Sequence, residues 1–399
     1  MLTLHVVKLA LGTLGAMSAL GAADRAGPPA AADSLSAPCW TGDAPAARVR
    51  VDSARREFTV TVGPFHIAAM PAAMHAGMDH AGMDHAAMQH ESANHAVVTP
   101  EVMGGMEHEG GGTPVMCFDW PVNGWARGFR VEVRDRNGAP LPRTLLHHVT
   151  MVNFGRRQLV FPVLERLIGA GKETDDVMLP RPIAVPMGAG QRLGIWAAWH
   201  NETGADIDGA VIRLTMTWAP VSRRATPLGV LPLYLDVNEE DLFGGYDLPP
   251  GRSTKSFDFT LPTGGRLLGA GGHLHDYAVA VRLEDAATGK TIVRLRSERD
   301  PDGRIRGVSR KRFIFRPRRL RPGHPYRLVA EYDNPTGQPL ARAAMAQMIA
   351  IFAPDDVSGW AAVDPNDPNI RRELAGFAEM NRGAAEPRGP DAGSHEHHD

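Results

Sequence analysis

The stretch 271–283, GGHLHDYAVAVRL, decides the fold that we expect for this chain. If it forms a single β-strand, the period of two places alternate residues on one core-facing face. This face contains His273, His275, Tyr277, Val279, Val281 and Leu283. Two imidazoles at the mouth of an apolar row are arranged to bind one metal ion, because both ring nitrogens reach toward the same point. The alternative is a pair of buried structural histidines.

Length and composition predict an all-β protein with two domains. The chain has 399 residues, which is enough for two separate cores. It contains 43 glycines and 32 prolines, and long amphipathic helical patterns are scarce, so strands joined by turns fit better than a helical fold. The formal net charge of -2 gives no indication of a nucleic-acid partner or of an anionic membrane surface.

The N-terminal residues predict export. One early cation, Lys8, precedes an apolar run, and small residues follow up to Ala23. This is the layout of a secretory signal peptide cleaved near Ala23, so we expect a periplasmic or secreted protein. No second stretch is long and apolar enough to span a bilayer, and we therefore expect no membrane span after cleavage.

Shifts in composition divide the chain into segments. They are a signal peptide (1–23), a linker (24–46), an N-terminal β-sandwich domain (47–220) with a Met/His-rich insertion (66–112), a connection (221–252), a C-terminal β-sandwich domain (253–356) and a tail (357–399). The tail contains one helix-like stretch, 369–382.

The Met/His-rich insertion carries a repeat that indicates copper. Its histidines recur every five residues, and methionines stand two residues before three of them; these are His75, Met78, His80, Met83, His85, Met88, His90 and His95. A period of five fits neither a helix nor a strand, so a disordered or metal-organised loop is expected. Thioether and imidazole ligands together suit copper ions. The alternative is a solvated linker.

The two cysteines of the chain, Cys39 and Cys117, flank this insertion. In an exported protein such a pair predicts a disulfide at the base of the insertion. The alternative is two unrelated buried thiols.

Further candidate ligands lie in strand-like segments. His147 and His148 are adjacent, so both can bind one ion only where the strand is twisted or bulged. His200 ends a later strand, and Met345 and Met348 lie on opposite faces of the last one, so at most one of these methionines can join His273 and His275.

The order of these residues resembles that of the copper type II, ascorbate-dependent monooxygenases, which include peptidylglycine α-hydroxylating monooxygenase and dopamine β-monooxygenase. The resemblance implies two tandem antiparallel jelly-roll-like β-sandwich domains with one copper each. It implies an electron-entry copper on His147, His148 and His200. It implies a catalytic, O2-activating copper on His273, His275 and Met345, with ascorbate or another one-electron reductant and an unknown small-molecule substrate.

Some positions depart from that family's pattern. Gly271 and Ile349 stand where the peptide-amidating enzymes have an arginine and a tyrosine, so amidation of peptides is not expected. His200 lies two residues beyond the family's ligand position, which Ala198 occupies, although both share a strand face.

Three hypotheses about function follow from the sequence. The first is an exported two-copper monooxygenase. The second is a periplasmic copper-handling protein that sequesters or delivers copper without turnover. The third is a metal-free β-sandwich with structural histidines. The first two imply copper ions as partners, and none implies nucleic acid.

Overall fold

The computed structural model describes residues 46–69 and 113–385, except 173, 175, 223–225, 240–241, 243, 357–359 and 361. The predicted signal peptide, the Met/His repeat and Cys39 lie outside the described residues. The Cys39–Cys117 pairing therefore stays a prediction, with Cys117 buried on a strand of the first domain.

The chain is all-β, with two antiparallel jelly-roll-like β-sandwiches in tandem. The first part contains β1 (Arg48–Asp52), β2 (Glu57–Ile67), β3 (Met116–Asp119), β4 (Gly124–Arg134), β5 (Leu146–Arg157), β6 (Leu164–Gly171), β7 (Val177–Met178), β8 (Ile183–Ala184), β9 (Arg192–Trp199) and β10 (Ile207–Pro220). A short 3₁₀ turn, Arg143–Leu145, precedes β5.

The second part begins at β11. It contains β11 (Leu228–Gly229), β12 (Leu231–Asp236), β13 (Tyr246–Leu248), β14 (Gly251–Phe259), β15 (Gly265–Leu274), β16 (Ala278–Asp285), β17 (Lys290–Arg299), β18 (Ile305–Val308), β19 (Lys311–Arg312), β20 (Arg318–Leu320), β21 (Tyr326–Asn334), β22 (Leu340–Ala344) and β23 (Ala346–Pro354). Helix α1 (Pro368–Ala385) follows. No helix in the described part of the chain is long and apolar enough to cross a membrane.

The first sandwich packs the sheet β1-β2-β10-β4-β7 against the sheet β3-β9-β5-β6. Strand β2 shows why: Phe58, Val60 and Val62 are buried, whereas the residues between them are partly exposed. This alternation is the pattern of a strand with one face in a core. The inward residues of β5 and β9, among them Met151 and Ile195, complete that core.

The second sandwich packs the sheet β12-β23-β15-β19, with β20 also on β15, against the sheet β14-β21-β16-β17-β18. Strand β12 lies within the stretch 221–252 that composition indicates as a connection, and it pairs with β23. Its six residues, LPLYLD, are all buried, because one face meets the second core and the other faces the first sandwich.

The prediction of one continuous strand at 271–283 is wrong. Strand β15 ends at Leu274, a turn follows, and β16 begins at Ala278 in the opposite sheet. The Ala278 amide donates to the His275 carbonyl (3.2 Å), and Tyr277 adopts a φ of 63°. Consequently Leu274, rather than the histidines, faces the core. The turn is stabilised by residues distant in sequence, since Asp276 accepts a hydrogen bond from the Ile305 amide (2.8 Å).

Side-chain packing, as well as the connecting chain, joins the two sandwiches. The loop between β5 and β6 contributes Leu159, Phe161 and Val163 to the core of the second sandwich. In return, α1 packs Ile370, Leu374 and Phe377 against the outer face of β3, β5 and β9. The structure thus has the helix expected in the tail, and this helix is part of the first sandwich's surface.

Candidate metal centre

The five candidate histidines from both sandwiches form one cluster. The His147 ring centre lies 5.0 Å from that of His148, 6.4 Å from that of His200 and 6.2 Å from that of His275. The ring centre of His275 lies 5.1 Å from that of His273. All five residues are partly exposed, although the Nε2 atom of His275 is buried. The structure therefore brings together residues that the resemblance divides between two sites.

A bulge explains how the adjacent histidines share one site. The pairing of β5 with β9 is regular on both sides of an irregularity between Leu146 and His148. At a bulge the side-chain alternation is interrupted, and two neighbouring side chains can turn toward one side. This is the condition under which His147 and His148 were expected to bind the same ion.

The two Nδ1 atoms of His147 and His148 lie 3.0 Å apart, as in a hydrogen bond in which one ring donates to the other. Two imidazole nitrogens bound to one ion at 2.0–2.1 Å would be roughly 2.9 Å apart at a right angle and roughly 3.4 Å apart at the tetrahedral angle. The spacing of this pair therefore suits a shared ion.

His200 stands at the end of β9, where its amide donates to the Leu145 carbonyl (2.9 Å). Its Nε2 lies 2.8 Å from Glu202 Oε1. His200 is thus part of the cluster by position, while this ring nitrogen is held by a carboxylate. The shift of two residues from Ala198 moves the ligand position from inside β9, where Ala198 is buried, to its partly exposed end.

The register of β15 with β23 separates the two methionines. Gly272 pairs with Met348 and His273 with Gln347, and the His275 amide donates to the Met345 carbonyl (3.1 Å). Directly opposed residues share a face, so Met345 lies on the face of the histidines. Met348 lies on the other face and belongs to the core of the second sandwich. Met345 is only 6% exposed, yet it lies outside the hydrophobic clusters of the described residues.

A buried polar row supports this face of the sheet. Asp236 is fully buried and pairs across β12 and β23 with Gln347, which in turn pairs with His273. The carboxylate accepts hydrogen bonds from Gln347 Nε2 (3.1 Å), from the hydroxyl of Tyr234 (2.7 Å) and from the amide of Asn238 (2.9 Å). Because a buried polar group must be hydrogen-bonded, this row limits the positions that Gln347 can take beside His273.

Burial, and then the neighbouring Asp236 carboxylate, raise the pKa of the Tyr234 phenol well above its ordinary value. Tyr234 therefore stays neutral and continues to donate to Asp236. Sequence reasoning did not single out Tyr234, Asp236 or Gln347. The signal for Asp236 was its position as the sole acidic residue in the strand-like run LPLYLD.

Two features of the cluster bear on whether it can hold a metal ion: the distances between the ring centres and the placement of the donor atoms. With metal–nitrogen bonds of 2.0–2.1 Å, the ring centres of imidazoles that share an ion lie roughly 4.5–6.5 Å apart. The distances of 5.0 and 5.1 Å suit adjacent ligands, whereas those of 6.2 and 6.4 Å lie at the upper end, which corresponds to rings on opposite sides of the ion. Among the described residues, however, no group of three or more histidine, cysteine, aspartate or glutamate side chains is placed to hold a metal ion. The imidazole rings thus lie close together, but they would have to rotate before their nitrogens could bind one ion.

Comparisons with known proteins give no functional relative. No family model matches the chain, and no curated protein matches it. Among solved structures it is similar to the STIV MCP, at 10% identity and a TM-score of 0.35 over 60% of this chain and 91% of that one. It is also similar to the major capsid protein P2 of bacteriophage PM2, at 11% identity and a TM-score of 0.30 over 61% of this chain and 93% of that one. Such distant similarities carry no argument about function.

The expected membership of the copper monooxygenase family is therefore corrected. Neither a family model nor a curated relative supports the monooxygenases, and the two solved structures named above are viral capsid proteins. The order of short histidine motifs misled the interpretation, because a few ligand-type residues in a long β-rich chain carry little family information.

Proposed function

We propose that this chain is an exported copper-binding protein that sequesters or delivers copper, with the histidine cluster and Met345 as its folded binding site. The observation that carries the proposal is the approach of His147, from the first sandwich, to His275, from the second, at 6.2 Å between ring centres. Five imidazole rings gathered where the two sandwiches meet supply nitrogen ligands that one ion could share once the rings rotate.

The ligand types favour copper over other metals. Imidazole nitrogen binds Cu(II), zinc and nickel, whereas a thioether adds a preference for Cu(I). Met345 supplies that thioether on the same face as His273 and His275. The repeat from His75 to His95 offers the same two ligand types and would act as a second, sequence-encoded copper reservoir.

Each part of the site has a separate role in this proposal. His147 and His148 form a pair whose Nδ1 spacing suits one ion, and His200 would join them by exchanging its contact with Glu202. His273 and His275 approach from the other sandwich. The buried Asp236 holds Gln347 beside His273. Bound copper would supply a redox-active ion. The proposal includes no reaction with O2 and ascorbate, because that reaction was implied only by the corrected resemblance.

Copper binding to the folded site can be separated from binding to the repeat. In a variant with serine in place of the histidines and methionines of 75–95, hereafter the serine variant, we expect retention of at least one copper per chain after dialysis. Loss of an outer partner of a ligand typically costs 10–100-fold in metal affinity, so removing a ligand by His275→Ala should cost about 100-fold or more. Competition with a chromophoric chelator measures this affinity.

His66→Ala provides the matched control. His66 is an exposed histidine whose Nδ1 contacts Asp208 (2.6 Å). This change should leave the copper affinity of the serine variant unaltered. Equal losses in His66→Ala and His275→Ala, or no copper retained by the folded serine variant, would rule out the proposed site.

The two methionines make a second test of the same site. In the serine variant, Met345→Leu should weaken Cu(I) binding by about tenfold and change Cu(II) binding much less, because a thioether is a soft ligand. Met348→Leu should change neither affinity, since it keeps the volume of a core residue on the opposite face. If Met348→Leu weakened Cu(I) binding and Met345→Leu did not, the assignment from the strand register would be wrong.

A further inference from the structure

The segment 310–321, RKRFIFRPRRLR, is a concentrated region of positive charge, which we call the basic edge. No aspartate or glutamate occurs between residues 303 and 330. The formal net charge of -2 does not reveal this segment, because it sums the charges of the whole chain. A local cluster of cations can attract an anionic surface whatever the total charge.

The basic edge lies along one border of the second sandwich. Strands β19 and β20 pair in succession with the same edge of β15, and residues 313–317 bulge outward between them. The Phe313 amide donates to the Leu268 carbonyl (2.7 Å), and the Arg316 amide donates to the Phe313 carbonyl (3.0 Å). The bulge is thus anchored at its base and closed by a tight turn that places Ile314 and Phe315 at its tip.

Phe315 is presented to solvent by this turn. Its side chain is 99% exposed, whereas Phe313 and Ile314 are partly buried against the hydrophobic clusters beneath. Among the described residues, Phe315 is the one aromatic in the set of exposed large hydrophobic side chains. Phe315 therefore has no packing role among the residues that the structure describes.

The cations around Phe315 are available for an external partner. Arg319 is held by Asp355 through two contacts of 2.5 Å, which also lower the pKa of that carboxyl. Apart from Arg310 and Arg319, the exposed cations of the basic edge make no ion pair with the described acidic residues; they are Lys311, Arg312, Arg316, Arg318 and Arg321. The Arg318 guanidinium lies 5.3 Å from the Phe313 ring centre, so its charge stands beside the tip.

Protection of a sheet edge explains only part of this arrangement. Charged residues on an edge strand prevent pairing with another chain, and Lys311 and Arg312 can serve that purpose on β19. A fully exposed Phe315 works against such protection, because it adds an apolar contact at the same edge. The combination of an apolar tip with surrounding cations is instead the composition of a membrane-interface anchor.

We propose that the basic edge binds the surface of an anionic phospholipid membrane, with Phe315 inserted at the boundary between head groups and acyl chains. Arg316 and Arg318 donate to lipid phosphates, as the guanidinium group is suited to do. Single-stranded nucleic acid is less well matched, because such sites stack successive bases on several aromatic side chains and only one is exposed here. Binding at this edge would hold the protein at a membrane without a membrane span.

The test is sedimentation of the full chain with vesicles. The protein should sediment with vesicles of phosphatidylcholine and phosphatidylglycerol, much less with phosphatidylcholine alone, and less as salt is raised. Phe315→Ser should weaken binding by about tenfold, which is at the low end for burying a phenylalanine side chain. Arg316→Gln with Arg318→Gln should weaken it by about 25-fold, because each cation contributes roughly fivefold. A side chain 99% exposed can be replaced without loss of folding.

Matched controls lie on the first sandwich. Met178→Ser removes another exposed apolar side chain, 56% exposed on β7, and Arg48→Gln with Arg50→Gln removes two exposed cations from β1. Both should leave binding unchanged. Equal binding to neutral vesicles, or equal losses in the control and basic-edge variants, would overturn the proposal. Binding of a single-stranded oligonucleotide that requires Phe315, without vesicle binding, would overturn it in favour of a nucleic-acid site.

Discussion

Saturating copper is expected to raise the free energy of unfolding of the serine variant by about 4 kcal/mol when free copper exceeds its dissociation constant about 1,000-fold. A ligand that binds only the folded chain stabilises it by mass action. If one ion takes nitrogens from His147 and His275, it also ties the two sandwiches together. Denaturant unfolding with and without copper measures the gain, which binding of copper to unfolded histidines would reduce.

The same measurement distinguishes one shared site from two separate ones. With a shared ion, His147→Ala and His275→Ala should each remove about two thirds or more of the stabilisation by copper, although they lie in different sandwiches. With separate sites, each variant should keep the share that belongs to the other sandwich. His324→Ala is the control, since His324 contacts Asp285 (2.9 Å) in the second sandwich and should leave the copper effect intact.

Replacing Glu373 by alanine is expected to lower the free energy of unfolding by about 3–5 kcal/mol, the usual cost of removing one partner from a buried ion pair. Glu373, on α1, is buried, pairs with the buried Arg166 of β6 and accepts a hydrogen bond from the Leu164 amide (2.8 Å). The change leaves the Arg166 guanidinium buried without that partner. Denaturant unfolding followed by circular dichroism measures the loss.

Two further variants separate charge from helix propensity. Glu379→Ala removes an exposed glutamate from the same helix and should change stability by less than about 0.5 kcal/mol. Arg166→Met with Glu373→Leu should recover much of the loss, because apolar residues of similar size avoid an uncompensated charge. A loss in Glu379→Ala as large as in Glu373→Ala would show that helix formation, rather than the ion pair, is responsible.

Much of the fold could be predicted because it depends on local patterns. The alternation of Phe58, Val60 and Val62 identifies a strand with one buried face wherever that strand lies in space. The candidate histidines could be found from their residue type, and the opposite faces of Met345 and Met348 follow from the strand period. That the histidines of both sandwiches form one cluster could not be predicted in this way, because it depends on which strands are neighbours.

The errors have physical causes that act over long distances in sequence. The corner at residues 275–277 lacks a glycine or proline, and it is stabilised by the distant residues Gly303 and Ile305. The alternating pattern of 271–283 therefore predicts one continuous strand where the structure has a turn. The bulge at His147 appears only in the pairing of β5 with β9. The net charge does not reveal the basic edge, because a sum over the whole chain does not show where the charges lie.

The sequence by itself determined an all-β chain of two sandwiches, a set of histidines and methionines that are candidate metal ligands, and the helix near the end, since period and side-chain chemistry are local properties. Only the tertiary structure decided that His147 and His275 are neighbours, that Met345 rather than Met348 shares their face, and that Phe315 stands exposed among cations. The physical reason is that strand register and the packing of one sandwich on another join residues that are far apart in sequence.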